Sequence, residues 1–440
     1  MYIEKNQLLE YGDISFDEED DDEGFFAILS DSEMSPKKGQ MSSWRAVVNL
    51  LSYIEGPGIL ALPFALSKGN GVALAALVVV PMVAFYTGKI LIECLYDLKI
   101  NGRIVRVREN YYGIAREIWP RFGAHVVVAS QLMSFCLLGS LYLVLMGDLL
   151  KTSLPDLRLS TRQWMVIMAC TGVPSSLFRS LAQVAWLSLL SIFALILSVV
   201  LVVVYSVYNH STWVITTSNI LPQVNIESVP IALAIVVFSY SAHASLPGLE
   251  ASLSNRTNYN AILGLSYSLS CFIKLVFTFA AFLTFHPNIL PVITTSMPMS
   301  HIYIAVTAFL ILNSLFSYPY RIMAMVHIVE NSLIPESIRS RVPDLVWYTV
   351  VRLVLNFLTL IPAVLIPHFA LLMAFMGSVI SILTAIIYPC VFHLFLKHRE
   401  ISLWQTLLDR AFVILGFLVS GMGLLATGRQ VYSTVYSESE

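Results

Sequence analysis

Residues 52–64 read Ser52-Tyr53-Ile54-Glu55-Gly56-Pro57-Gly58-Ile59-Leu60-Ala61-Leu62-Pro63-Phe64, inside an apolar run that covers 42–66. Pro57 removes a backbone donor, and the two glycines remove side chains that would hold a helix, so the helix is expected to break at Glu55-Gly56-Pro57-Gly58. Backbone groups freed in hydrocarbon must be satisfied by protein or by a water-lined cavity. The sixth apolar run carries a second interruption, Phe238-Ser239-Tyr240-Ser241-Ala242-His243-Ala244-Ser245-Leu246-Pro247-Gly248-Leu249-Glu250. Two interrupted spans, five apart, are the pattern expected of two five-helix inverted repeats whose broken helices meet at the bilayer midplane. Such a pair points to a transporter rather than a receptor.

The rest of the chain fits that frame. Of 440 residues, 57% are hydrophobic and 12% charged, about half the charged share of a soluble domain. The excess apolar side chains must face lipid. A net charge of −2 argues against a nucleic-acid partner. Measured against the roughly 20 residues that cross a bilayer, the apolar runs are 42–66, 71–96, 123–147, 163–178, 182–207, 229–250, 260–285, 301–328, 345–366, 369–396 and 404–427. The expectation is an all-α polytopic membrane protein of eleven transmembrane helices, a five-plus-five repeat with helices 1 and 6 broken, plus one extra helix. Pro174, Ser175, Ser176 and Arg179 separate the fourth run from the fifth.

Residues 1–40, with seven consecutive carboxylates from Asp17 to Glu23, read as a disordered acidic tail. The transporter domain follows over 41–428, with a short lumenal tail over 429–440. Lys and Arg concentrate in the loops that share a side with the N-terminus, six of them in 97–122 alone. That asymmetry places the N-terminus in the cytosol and, after eleven spans, the C-terminus in the lumen. The 97–122 loop mixes aromatic and basic residues. It reads equally well as a short helix on the anionic leaflet and as a solvated loop. The five cysteines, Cys94, Cys136, Cys170, Cys271 and Cys390, all fall in apolar runs, which points away from a lumenal disulfide or a metal cluster.

Gly56-Pro57-Gly58-Ile59-Leu60-Ala61-Leu62-Pro63-Phe64-Ala65 and Tyr86-Thr87-Gly88-Lys89-Ile90-Leu91-Ile92-Glu93-Cys94-Leu95-Tyr96 resemble the amino acid/auxin permease family. So do Val105-Arg106-Val107-Arg108, Val237-Phe238-Ser239-Tyr240 and Leu315-Phe316-Ser317-Tyr318-Pro319. The closest likeness lies in Ile366-Pro367-His368-Phe369-Ala370-Leu371-Leu372-Met373, followed by Gly377-Ser378 and Phe392-His393-Leu394. The resemblance spans about 42–427 and is strongest to the vesicular inhibitory amino acid branch. It implies amino acid transport, with GABA or glycine as substrate, into synaptic-type vesicles. This chain departs from the branch pattern at Glu55-Gly56-Pro57-Gly58, at Asn313 where the branch has lysine, and at Arg321 where it is apolar.

Each candidate site residue has two readings. Gly56 and Gly58 offer unpaired N–H groups and a positive helix end to a substrate carboxylate, or they form a packing kink. Ser239 and Tyr240 hold the substrate ammonium, or pack helices. Glu55 carries a proton, or hydrogen-bonds the unwound backbone. His243 titrates in the range of an acidic vesicle, or is a satisfied bundle residue. Asn313 faces the cavity by position. Lys89, Glu93 and Lys274, read as lying near span ends, are explained by snorkelling or pairing. Glu4, Leu8 and Leu9 match an acidic dileucine signal that a clathrin adaptor can bind. Asn209-His210-Ser211 is a glycosylation acceptor on a lumenal loop. No catalytic motif, cofactor site or metal site is expected, and the driving force is a proton gradient. A channel or sensor on the same fold, and a plasma-membrane or lysosomal symporter, stand as alternatives.

Overall fold

A computed structural model describes residues 41–98, 104–171, 181–213, 227–332 and 343–437. The acidic tail with Glu4, Leu8 and Leu9, and the expected break at Pro174–Arg179, lie outside them. The first helix, α1 (Ser43–Ile54), starts at an N-cap in which the Ser42 hydroxyl accepts from the Arg45 N–H. It stops where the sequence says it must. Gly56 is extended (φ −108°, ψ −168°), and Pro57 opens a short 3₁₀ turn over Pro57–Ala61. Helix α2 (Leu62–Glu93) follows directly, kinked at Asn70, whose φ is +49°. The kink marks the boundary expected between the first and second runs. Asparagine is among the few non-glycine residues that tolerate positive φ.

The described part of the 97–122 loop is folded against the protein, with Arg116, Glu117, Arg121 and Phe122 exposed. It forms a two-stranded antiparallel hairpin, β1 (Tyr96–Leu98) and β2 (Ile104–Arg106), and a helix, α3 (Tyr111–Ile118). Tyr111 is buried and its hydroxyl donates to the Thr384 carbonyl. The apolar face of α3 is therefore spent on protein rather than on the bilayer surface. Next come α4 (Gly123–Ser153), α5 (Thr161–Thr171) and α6 (Leu181–Tyr208). The second interrupted run gives α7 (Val229–Tyr240), a 3₁₀ turn at His243–Ser245, and α8 (Leu246–Ser252). The remaining helices are α9 (Tyr259–Phe285), α10 (His301–Ser332), α11 (Asp344–Leu365), α12 (Phe369–Leu396) and α13 (Leu403–Ser437). Helix α13 runs on through most of what the sequence suggested was a tail.

Among the described residues, eight helices are long and apolar enough to cross a membrane, and Thr349–Leu365 is a shorter apolar one. Packing shows the repeat. Helix α2 lies on the broken helix α7, and its counterpart α9 lies on the broken helix α1. Helices α4 and α10 pack on each other, and α6 packs on α10. The two halves thus exchange equivalent contacts, as an inverted five-plus-five repeat requires.

Helix α12 widens into π geometry over Gly377–Ser381 and Leu383–Ile387. Such widening frees carbonyls from the α ladder. Ser420 donates to the Ser378 carbonyl, as Tyr111 does to that of Thr384. Gly377 also lets α12 approach the backbone of α7, since a Cβ there would stand 2.0 Å from the Ala234 oxygen.

Candidate functional site

The last turn of α1 ends with Glu55 N–H donating to Leu51 O at 2.8 Å and Gly56 N–H donating to Ile54 O at 3.1 Å. Helix α7 ends similarly, with Ser241 N–H donating to Phe238 O at 3.2 Å. Both helices present their negative, carbonyl-bearing ends to the middle of the protein. Lys274, on α9, fills the space between them. Its ammonium donates to Ile54 O at 3.2 Å and to Ser239 O, and stands 4.2 Å from the centre of the Tyr240 ring. It lies 3.9 Å from Glu55 Oε1, which also accepts from Ser270 Oγ at 2.5 Å. Lys274 is therefore not a span-end lysine. It is completely buried near the middle of α9, and snorkelling does not describe it.

Beside the break lies a cavity with about 630 Å³ of empty space, counted together with the solvent at its open mouth. Helix α1 contributes Asn49, Ser52, Tyr53, Glu55 and Gly56, a spacing that puts one polar stripe on one helix face. Helix α4 adds Tyr142, α6 adds Ser191, and α10 adds Asn313, Ser317 and Arg321. Asn313 donates its amide to Ser191 O (2.9 Å) and Oγ (2.8 Å), which leaves its own Oδ1 buried without a partner. Arg321 is held by aromatic faces, with Cζ 5.1 Å from the Tyr320 ring centre and 6.0 Å from that of Tyr142. Its Nε is buried without a hydrogen-bond partner. Among the described residues, Glu55 is the only carboxylate on the cavity wall, and Lys274 and Ser270 already engage it. The cavity therefore offers a guanidinium with no carboxylate partner among the described residues and a spare carbonyl acceptor.

The sequence-predicted residues separate into two groups. Glu55, Gly56 and Asn313 line the cavity. Gly58, Ser239, Tyr240 and His243 do not. Gly58 packs on the second break, where a Cβ would stand 3.1 Å from Ser239 Cα. Ser239 and Tyr240 face Lys274, and the Tyr240 hydroxyl donates to Leu77 O at 3.1 Å. His243 is buried against α2, its Nε2 2.9 Å from Thr87 Oγ1. Gly56, by contrast, has open space where its Cβ would be. Lys89 and Glu93 form an i,i+4 pair at 3.7 Å near the end of α2. Asn209 sits just past α6, its amide bonded to Tyr205 O at 2.8 Å. Lys274, Tyr53, Tyr142 and Ser317 were missed as site residues. The Asn49, Ser52, Tyr53, Gly56 stripe is the available signal for the cavity, and the position of Lys274 near the middle of the 260–285 run is the signal against snorkelling.

On the N-terminal side a polar cluster fastens the far end of α8. Tyr96 donates to the buried Glu250, which pairs with Arg106 and Arg256, each at 3.5 Å. Arg106 also donates to Pro247 O at 3.2 Å. Next to it, Arg108 binds Asp97 (2.7 Å), Glu117 and Cys94 O (2.8 Å), and Lys397 reaches Asp97 at 3.4 Å. Met41 closes the edge by exchanging backbone bonds with Ser252 (3.0 Å) and Ser254 (3.1 Å). On the opposite side, the Ile293–Ser296 turn packs over Pro57–Ala61.

Partial burial opposes the charge on Asp97, but hydrogen bonds from Arg108 and Lys397 outweigh it and hold the carboxyl below its ordinary value. A lowered folded value contributes stability above the unfolded value of about 3.9, lost only as pH falls through the folded value. The cluster should therefore be indifferent to pH between about 5 and 8. Asp97→Asn should lower the thermal midpoint equally at neutral and mildly acidic pH. A destabilisation that vanishes in acid would mean that Asp97 titrates there.

The family model described as transmembrane amino acid transporter protein matches residues 39–429. A vesicular inhibitory amino acid transporter of Xenopus laevis is 31% identical over 416 residues, 92% of this chain and 79% of that protein. A vesicular GABA transporter of Caenorhabditis elegans is 29% identical, covering 90% and 81%. Among solved structures, the inward-facing conformation of Mhp1 aligns with a TM-score of 0.55 at 13% identity, covering 92% of this chain and 93% of that one. That likeness bears on the fold alone.

Proposed function

The chain belongs to the transmembrane amino acid transporter family, and on that premise we propose that it exchanges protons for GABA, glycine or a similarly small amino acid, loading acidic vesicles. The observation that carries the site assignment is Arg321, a half-buried guanidinium with no carboxylate partner among the described residues, on the wall of a cavity beside the break in α1. The substrate carboxylate binds Arg321 as a charge-assisted pair. Its ammonium turns toward Glu55 and the free Oδ1 of Asn313. The cavity lies on the α1 side of the break while the Ile293–Ser296 turn covers the other side, which fits a cytosol-facing state of an alternating-access cycle.

Purified protein in proteoliposomes with an acidic interior tests this reading. Labelled GABA or glycine should accumulate above the outside concentration, saturably, and the accumulation should collapse when the pH gradient is discharged. Equilibration without accumulation would identify a channel instead.

The Lys and Arg asymmetry supports a cytosolic N-terminus and a lumenal C-terminus. In sealed vesicles, protease added outside should remove an N-terminal tag and spare a C-terminal one. A glycan on Asn255, whose Asn255-Arg256-Thr257 acceptor falls in a loop assigned to the cytosol, would contradict the assignment. Sorting through Glu4, Leu8 and Leu9 has its own test. Changing both leucines to alanine should raise the cell-surface fraction, and an unchanged distribution removes the motif from the account.

A further inference from the structure

We propose that Lys274 is the proton carrier of the exchange, and that its ammonium and the substrate's ammonium compete for the single carboxylate of Glu55. This deepens the proton-exchange reading above and rests on it. The geometry supplies the argument. Two helices end on Lys274, one through Ile54 O and one through Ser239 O. Each helix end carries roughly half a negative charge, so together the two offset one ammonium. Glu55 is then left with a charge only loosely matched by Lys274, at 3.9 Å, and it faces the cavity where a substrate ammonium would arrive.

An ammonium entering the cavity places two cations around one carboxylate in a poorly screened site. Lysine can relieve this by giving up a proton, which arginine at physiological pH cannot. The balance is simple. Lys274 Nζ loses one proton to water in the cavity and keeps its lone pair, and the substrate cation takes over the neutralisation of Glu55. The substrate enters as a net-neutral zwitterion and one proton leaves, so the total charge of the site falls by one. The titratable groups bearing on Lys274 are Glu55 from the end of α1, Tyr240 from α7, and Cys271 from its own helix. Glu55 is the only carboxyl among them.

The consequence for direction follows. Facing an acidic lumen without substrate, Lys274 takes up a proton and again ties the ends of α1 and α7 together. Facing the cytosol, substrate binding expels that proton. One carboxylate serving two cations in alternation makes the exchange obligatory, and it needs no dissociable metal ion between the half-helices.

Substrate binding to purified wild-type protein in weak buffer near neutral pH, with a pH-sensitive dye, tests the inference. With GABA or glycine as probe, about one proton should be released per molecule bound. Lys274→Met should release no proton on the substrate it still binds and should lose pH-gradient-driven accumulation. If Lys274→Met does not fold, Lys274→Arg preserves the cation. Folded Lys274→Arg should likewise release none. Wild-type binding without proton release, or a Lys274 variant that still releases a proton and accumulates substrate under a pH gradient, overturns the inference. If wild type accumulates substrate under a gradient while releasing no proton on binding, only this inference fails. If wild type accumulates nothing, the proton-exchange reading itself fails.

Discussion

Arg321→Met is expected to reduce amino acid uptake by roughly 100-fold, the scale of truncating one partner of a buried charge pair. The protein should fold, because removing the guanidinium leaves no carboxylate stranded among the described residues, and the hydrogen bond it gives up is with Tyr142 on the cavity wall. The aromatic faces of Tyr142 and Tyr320 can accept the thioether in its place. Arg321→Lys keeps the charge but not the fork that grips a carboxylate through two oxygens, so it should fall between wild type and Met. Loss of discrimination between the amino acid and its methyl ester should accompany the loss of uptake. Uptake assays with thermal-shift controls decide it. A folded Arg321→Met protein that transports normally would remove Arg321 from the site.

Gly58→Val should abolish transport and lower the thermal midpoint, whereas Gly56→Ala should leave the fold intact. The first substitution drives a branched side chain into a seam where even a Cβ would stand 3.1 Å from backbone Cα and 3.2 Å from the Cβ of Ser239. Overpacking of that kind costs about 1–3 kcal/mol even where neighbours can shift. Here the neighbour is the end of α7, which must stay beside Lys274. At Gly56 the backbone is extended and the space is open, so alanine is accommodated. Its methyl points into the cavity region, and the expected effect is weaker substrate binding with an unchanged thermal midpoint. A stable, active Gly58→Val protein would show that the seam between the two breaks is not tightly held.

These two glycines show how far the sequence could be read. Proline and glycine in an apolar run state locally that a helix must break, and the pairing of two such breaks five spans apart states the repeat. The sequence could not say which glycine faces a cavity and which faces another backbone, because that depends on how α1 and α7 meet in space. His243 failed as a cavity residue for the same reason. A histidine in a broken span looks functional, but the turn at His243–Ser245 aims it at Thr87. Lys274 failed in the opposite direction, since a lone lysine in an apolar run has a ready surface explanation. Only the convergence of Ile54 O and Ser239 O on its ammonium shows why a charge is tolerated there. The β1–β2 hairpin and α3 were half legible. Their aromatic residues signalled an amphipathic element, but the partner is α12 rather than lipid.

The central claim is that an amino acid sits in the cavity beside the break in α1 with its carboxylate on Arg321. The most direct measurement is an electron cryo-microscopy reconstruction of the purified protein in saturating GABA. The account predicts density among Asn49, Tyr53, Tyr142 and Asn313, its carboxylate end on Arg321 and its ammonium end toward Glu55. Density lodged instead in the seam between Gly58 and Ser239, or an empty cavity in a preparation with measured substrate binding, would contradict it.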